Sequence, residues 1–409
     1  MTKHNRSGAA GIRQDSIFSL YFWILFLINL FVNAVTYMAN TTMQSYSIIV
    51  LMTTVTMAGA IVSTANLGSL IFTFFCGPLG NHISKKTLVQ LSSLLFAVSV
   101  VGYAAFENVH AVLFFRLLAG FGASINFTSG MVMVADVLPE SRITEGVGYY
   151  GLASTLMQSF GPMLAFFIID FWSYKANFIF AAVMAVTGFF LSFLLPDFPG
   201  DQKKNMAVTP ANLIAEVFAK ESWLPATIGF LFALINGMQQ ALVKSYADSL
   251  GIGGMAGAYF LVVSAMTIVS RIALGKFIQK KTVAFAAVFS GVFLITCPLL
   301  LGLGGTSLTM LAGGAMFGVG YGTLLPVTQS CAIKFAPPHK KSSGSSTYYL
   351  GITLAFVVSP IMGAFIADPQ KLNLGYQQSF LVLTIPCVAA MLLALWKGRV
   401  PINPPSASA

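Results

Sequence analysis

Ten long stretches of this chain contain no Asp, Glu, Lys or Arg. They are residues 16–84, 87–106, 117–135, 146–169, 176–196, 222–243, 249–270, 282–333, 342–367 and 372–396. A helix that crosses a membrane needs about 20 consecutive apolar residues. Two of the stretches are long enough for two helices and the other eight for one each, so the pattern predicts twelve transmembrane helices. Transmembrane β-strands would give short alternating segments instead.

The composition excludes several classes of protein. Charged residues make up 8% of the 409 residues and hydrophobic residues 56%, whereas soluble domains average about 25% charged residues. A soluble enzyme, a disulfide-stabilised secreted domain and a disordered chain are therefore excluded. The four cysteines show no CxxC spacing, so neither a metal site nor a redox pair is indicated, and we expect no cofactor.

The distribution of basic residues predicts the orientation in the membrane. If the N-terminus is cytoplasmic, the cytoplasmic segments hold seventeen of the 22 Lys and Arg residues and the outer loops hold three. Cytoplasmic loops of membrane proteins carry this excess. We therefore expect a multi-pass plasma-membrane protein with both termini in the cytoplasm. The net charge of +10 is explained by topology, and no nucleic-acid partner is expected.

The second half of the chain repeats the first at an offset of 198 residues. The coincidences are Met57-Ala58-Gly59-Ala60 with Met255-Ala256-Gly257-Ala258, Gly120 with Gly318, Gly122 with Gly320, Tyr150 with Tyr348, and Pro162 with Pro360. A constant offset over several helices indicates a duplication. We predict an all-α membrane protein of two pseudo-symmetric six-helix bundles, which can rock about a central site.

The predicted domains are the bundles 1–196 and 223–409, joined by a cytoplasmic linker at 197–222. Within the linker, Thr209-Pro210 is typical of a helix start. We therefore predict a short amphipathic helix over 211–220.

Three segments resemble motifs of the major facilitator superfamily, in its twelve-helix branch of drug and sugar exporters. They are Gly77-Pro78-Leu79-Gly80-Asn81-His82-Ile83-Ser84-Lys85-Lys86, Arg116-Leu117-Leu118-Ala119-Gly120-Phe121-Gly122, and Asp136-Val137-Leu138-Pro139-Glu140-Ser141-Arg142. The resemblance implies a gate at the cytoplasmic ends of the helices, formed by Gly77, Asn81, Lys85, Lys86, Asp136 and Arg142. Asn81 stands where the family has Asp; an Asn can still cap a helix but adds no charge.

Arg116 is the main candidate for contact with a substrate. It lies in the outer half of a predicted span, where a charge is costly unless it is paired or hydrated, so it should face the bundle interior. The resemblance implies that it lines the cavity and assists proton coupling. Bonds to backbone carbonyls, or an outward-reaching side chain, are the alternatives. The other arginine near a span is Arg271. We expect its side chain to extend to the cytoplasmic face, where the charge is hydrated.

Seven amide side chains within predicted spans are further candidates for substrate contact. They are Asn29, Asn33, Gln158, Asn236, Gln239, Gln240 and Gln329. Amides in a lipid-surrounded helix need partners, so each either contacts substrate or forms hydrogen bonds between helices, which contribute about 0.6 kcal/mol each.

The predicted function is secondary active transport by alternating access, with a small organic compound exported in exchange for protons. Proton exchange is implied by the resemblance alone, because no carboxylate lies in the middle of a predicted span. A boundary group such as Glu107 or Asp136, or the substrate itself, would have to carry the proton. An uptake symporter for a sugar or organic acid is the alternative. A polytopic membrane enzyme would require clustered acids or histidines, which are absent from the sequence. We expect a monomer in the lipid bilayer.

Overall fold

A computed structural model describes residues 17–139, 142–196, 218–337 and 340–402, without the side chains of 76–82, 143, 144, 148, 159, 341 and 342. The first half contains α1 (Leu20–Ile49), α2 (Val55–His82), α3 (Lys85–Ala105), α4 (Val109–Val137), α5 (Ile143–Phe171) and α6 (Tyr174–Ser192). The second half contains α7 (Trp223–Ser249), α8 (Met255–Ile278), α9 (Val283–Leu303), α10 (Ser307–Phe335), α11 (Lys341–Ala367), α12 (Gly375–Val382) and α13 (Thr384–Lys397).

Within the described residues, twelve spans are long and apolar enough to cross a membrane, and α12 and α13 together form the last one. The all-α fold with twelve membrane spans is therefore confirmed. Several helices begin where the sequence supplies a capping side chain: Ser84, Asn108 and Thr282 each accept a hydrogen bond from a backbone N–H of the first turn. Such caps satisfy donors that the helix itself leaves unpaired.

The linker is described only in its last residues. Residues 211–217 of the predicted amphipathic helix lie outside the described part of the chain. Phe218 and Ala219 are not helical, and Lys220–Ser222 form a single 3-10 turn before α7.

The 198-residue repeat reappears in the packing of the helices. In the first half, α2 and α3 pack on α4, and α1 packs on α5; in the second half α8 and α9 pack on α10, and α7 packs on α11. A Cβ added at Gly120 would overlap the Ala65 carbonyl, and one at Gly318 would overlap the Val263 carbonyl. The same offset relates both the glycines and their contacts, so the two halves share one packing scheme.

Among the described residues, the most extensive contacts between the two halves are those of α1 with α7, α2 with α11, and α5 with α8. The last two pairs are exchanged by the repeat, as a two-fold axis between the halves requires.

The two ends of the bundle differ in charge. The odd-numbered helices of the first half start at one end, and this end carries Lys85, Lys86 and Arg142. We call this the basic end, and the other, where α1 and α5 finish, the opposite end; the sequence predicts that they are cytoplasmic and outer, respectively.

Candidate functional site

Arg116 lies in the interior of the first half, with 2% of its surface exposed. Its Nη2 atom donates to Asn40 Oδ1 at 2.8 Å and to the Val62 carbonyl at 2.6 Å, and its Nε donates to the Ile61 carbonyl at 3.2 Å. No carboxylate of the described residues lies within 4.0 Å of it. Hydrogen-bond acceptors on α1 and α2 therefore take the place of a counter-ion.

A cavity of about 110 Å³ lies beside Arg116. Its polar lining comes from α1, α2, α3 and α4 and from α11 of the other half: Thr36, Asn40, Asn66, Ser69, Tyr103, Arg116 and Thr353. Asn66 also donates across the halves to the Phe356 carbonyl at 3.4 Å. Drug-sized ligands occupy pockets of about 300–1,000 Å³, so this cavity has room for water or for one group of a larger compound.

The amides of α1 join three helices of the first half. Asn29 donates to the Tyr150 carbonyl on α5 at 3.2 Å, and its Oδ1 accepts from Asn33 at 2.9 Å and from Asn126 on α4 at 3.4 Å. Asn29 is buried and Asn33 half-buried. The sequence did not single out Asn126 as a member of this cluster, because an Asn inside an apolar helix does not reveal which helix it faces.

The amides of α7 meet a tyrosine of α10. Gln240 donates to Asn236 Oδ1 at 3.1 Å, and Tyr321 lies near both Asn236 and Gln158. Gln158 belongs to α5, so Tyr321 connects the two halves at mid-depth. Gln239 instead accepts a hydrogen bond from Tyr259 on α8.

Gln329 on α10 donates to the Tyr349 hydroxyl on α11 at 2.6 Å. The Tyr349 ring packs edge-on against Phe127 of α4, with 4.7 Å between the ring centroids. Sequence analysis did not select the tyrosines at 321 and 349, because tyrosines are common in apolar helices and only the tertiary contacts distinguish these two.

Three of the six predicted gating residues form ion pairs at the basic end. Lys85 at the start of α3 contacts Asp136 near the end of α4, with 2.5 Å between Nζ and Oδ2. Arg142 pairs with Glu145 of its own helix at 2.9 Å, and both side chains are nearly half exposed. Lys86 is half-buried. Gly77 and Asn81 lie in the last turns of α2, outside the residues whose side chains are described.

Two aspartates at the opposite end connect the halves, and sequence analysis did not select them as site residues. Asp368, which follows α11, accepts hydrogen bonds from the Thr56 backbone N–H at 2.9 Å and from the Thr56 hydroxyl at 2.6 Å. Asp170 of α5 pairs with Lys244 of α7 at 3.2 Å. The signal was present in the sequence, because the 198-residue offset carries Asp170 onto Asp368.

Helix count, internal repeat and paired bundles all match one family of membrane proteins. A sequence profile of the Major Facilitator Superfamily matches residues 18–306 and 279–409. The chain belongs to the major facilitator superfamily. It is therefore a multi-pass membrane transporter of small molecules, as the motif resemblance predicted, and not an enzyme.

Curated relatives within the superfamily are distant. An uncharacterized MFS-type transporter, MJ1560 of Methanocaldococcus jannaschii, is 23% identical over 300 residues, which span 71% of this chain and 77% of that protein. The quinolone resistance protein NorA of Staphylococcus aureus is 24% identical over 220 residues, which span 50% of this chain and 56% of NorA.

Solved structures share the fold at low sequence identity. A POT family transporter in complex with 5-aminolevulinic acid gives a TM-score of 0.77 at 14% identity, over 95% of this chain and 99% of that one. The nucleoside transporter NupG gives 0.72 at 12% identity, over 93% of this chain and 100% of that one. Similarity at this level shows the arrangement of helices and nothing about the compound transported.

Proposed function

We propose that this superfamily member works by alternating access as a monomer in the plasma membrane and exports a small organic compound in exchange for protons. The observation that carries alternating access is the pair of inter-half contacts at the opposite end, Thr56–Asp368 and Asp170–Lys244. The two aspartates are equivalent in the internal repeat, although their partners are not, and both contacts join one half to the other. A rocking motion about the two-fold axis would therefore act on both.

Packing near these contacts supports a closed opposite end. On one side of the axis, Gly59 of α2 lies so close to Pro360 and Ala364 of α11 that an added Cβ would overlap both. On the other side, Phe166 of α5 stacks on Phe260 of α8, with 6.0 Å between ring centroids. This packing supports the basic end as the side through which a compound would enter or leave in this state.

The similarity to a quinolone resistance protein supports export, since a resistance protein lowers the amount of a toxic compound that acts on the cell. If both termini are cytoplasmic, as the basic residues predict, the described state accepts its cargo from the cytoplasm. The polar residues between the halves, among them Gln158, Tyr321 and Asn236, are the proposed binding surface.

Proton exchange requires a group whose protonation changes the balance between the two states. Asp170 is the candidate at the opposite end, because its carboxylate pairs with Lys244 across the halves. Asp136, which pairs with Lys85 within the first half, is the candidate at the basic end. Loss of the Asp170–Lys244 pair would weaken the closed opposite end.

Flux through the purified protein in sealed proteoliposomes tests this proposal. A panel of quinolones, organic acids and sugars is supplied outside vesicles that are acidic inside, and vesicles without protein provide the background. We expect a quinolone to accumulate inside and the accumulation to stop when the pH gradient is dissipated. Accumulation of a sugar or organic acid only when the outside is acidic would establish uptake symport instead, and absence of flux in all conditions would contradict the proposal.

A further inference from the structure

Arg271 on α8 carries a charge within a membrane span and forms no ion pair among the described residues. It lies seven residues before the end of α8 at Ile278, which corresponds to about 10 Å along the helix axis. Its Nε is buried and has no hydrogen-bond partner, and the residue as a whole is half-buried. Arg116, in contrast, has the three hydrogen bonds described above.

The internal repeat explains how Arg271 fits between α8 and α10. The 198-residue offset relates it to Thr73, whose hydroxyl bonds the Ser69 carbonyl at 2.7 Å and lies 3.0 Å from Ser124 on α4. The same offset relates Ser124 to Gly322. In the second half, therefore, a polar contact between two helices has been replaced by an arginine opposite a glycine.

Tyr321 places Arg271 at the boundary between the halves. Gly322 lies against Ser270, so α8 and α10 touch at the residues next to Arg271 and Tyr321. The Tyr321 hydroxyl in turn lies near Gln158 of the first half and Asn236 of α7. Asn236 is 4% exposed, and its Nδ2 has no hydrogen-bond partner.

These four groups supply hydrogen-bond donors and one full positive charge, and no described carboxylate forms an ion pair with Arg271. A charge at this depth is unfavourable until an opposite charge or water compensates it. Arginine binds carboxylates through two parallel N–H donors. A carboxylate that enters from the basic end would satisfy both the guanidinium and the unpaired amide of Asn236.

We propose that Arg271, with Tyr321, Gln158 and Asn236, forms the binding site for the carboxylate group of the transported compound, which is therefore an organic acid anion. This inference rests on the proposed transport function and specifies its substrate class. Arg116 lies in the other half and bonds α4 to α1 and α2.

Binding of matched acids and esters to the full-length protein in detergent tests the site. The probes are nalidixic acid, benzoic acid and their methyl esters, with binding measured by isothermal titration at neutral pH. We expect the wild type to prefer at least one acid over its ester about 10-fold or more, and Arg271→Gln to abolish that preference while Arg271→Lys keeps part of it. Lys276→Gln, which removes an exposed charge from the same helix, should leave the preference unchanged.

A second measurement does not depend on the folding of any variant. Phenylglyoxal labels accessible guanidinium groups, and mass spectrometry of the wild type gives the extent of labelling at each arginine. We expect Arg271 to react, the preferred acid to protect it, and Arg116 to stay unlabelled. Equal binding of acids and esters, binding of neither, or an unreactive Arg271 would each overturn the site. Acid binding that depends on Arg271 without flux in proteoliposomes would contradict the transport proposal alone.

Discussion

Arg116 shows how a single side chain in a membrane span depends on its surroundings. Arg116 corresponds to Gly314 in the internal repeat, and Gly314 lies against the ring of Tyr259. In the first half a guanidinium bonded to Asn40 fills this space, and in the second half a tyrosine bonded to Gln239 fills it. A polar side chain fills this space in both halves, but only in the first half does that side chain carry a charge.

Replacement of Arg116 tests its role in holding α1 to α2. Arg116→Ala leaves Asn40 Oδ1 buried without its donor, which costs about 1–3 kcal/mol, so we expect a lower melting temperature in detergent together with loss of flux. Arg116→Lys keeps the charge but not the planar set of donors, and an intermediate melting temperature is expected. Unchanged flux in both variants would exclude Arg116 from the transport mechanism.

At the scale of helices, glycines set the distance between neighbours. Gly120 allows α4 to contact the backbone of α2 at Ala65 and Ser69, and Gly318 allows α10 to contact α8 at Val263 and Thr267. Small residues permit such approach in membranes, where helices gain little from hydrophobic burial against each other.

We expect Gly120→Ala to destabilise the first half, because the new methyl group overlaps the Ala65 carbonyl and forced overpacking costs about 1–3 kcal/mol. Gly151→Ala in α5 is the matched control. A Cβ at Gly151 has no atom within 4 Å, and alanine is the better helix former. Thermal unfolding in detergent compares the two variants, and equal melting temperatures would argue against close packing at Gly120.

At the scale of the whole molecule, the contacts at the opposite end differ in strength. Asp368 is 1% exposed and accepts two hydrogen bonds from Thr56, and bonds to a charged group contribute about 1.5–3 kcal/mol. About a third of the Asp170 side chain is exposed, and exposed ion pairs contribute at most about 1 kcal/mol. The Thr56–Asp368 contact is therefore the stronger of the two.

Asp368→Ala should open the opposite end more than Asp170→Ala, and the double variant should open it most. Spin labels at Met52 and Leu372, exposed residues in loops of different halves, report the separation by pulsed electron resonance. Asp248→Ala is the control, because Asp248 pairs with the same Lys244 but within one helix. If all variants gave the wild-type distance, these contacts would not hold the halves together.

The pH dependence of the same distance has a predicted sign. Burial raises the pKa of Asp368, but hydrogen bonds from the Thr56 hydroxyl and from the backbone N–H groups of Gln370 and Thr56 outweigh it, and the pKa lies below its ordinary value of 3.8. The contact therefore stabilises the closed end at neutral pH and is lost only as the pH falls through the lowered pKa. The spin-label distance in Asp170→Ala should stay constant down to mildly acidic pH; opening near pH 6 would contradict this assignment.

The sequence alone determined the number of spans, the repeat and the family. Each follows from a property that a linear pattern carries: apolar residues must face lipid over a fixed length, and a duplication leaves a constant offset between equivalent residues. Arg116 and the amides were detectable for the same reason, since a polar group inside an apolar run is conspicuous wherever it points.

The tertiary structure decided the partners of these groups. Whether Arg116 bonds α1 and α2 or faces a ligand, and whether Arg271 extends to the surface or remains unpaired beside Tyr321, depends on how helices rotate and cross. The inter-half contacts of Asp170 and Asp368 join residues that are 74 and 312 positions apart in the chain. No local pattern encodes such pairs, because the packing of the two halves brings them together.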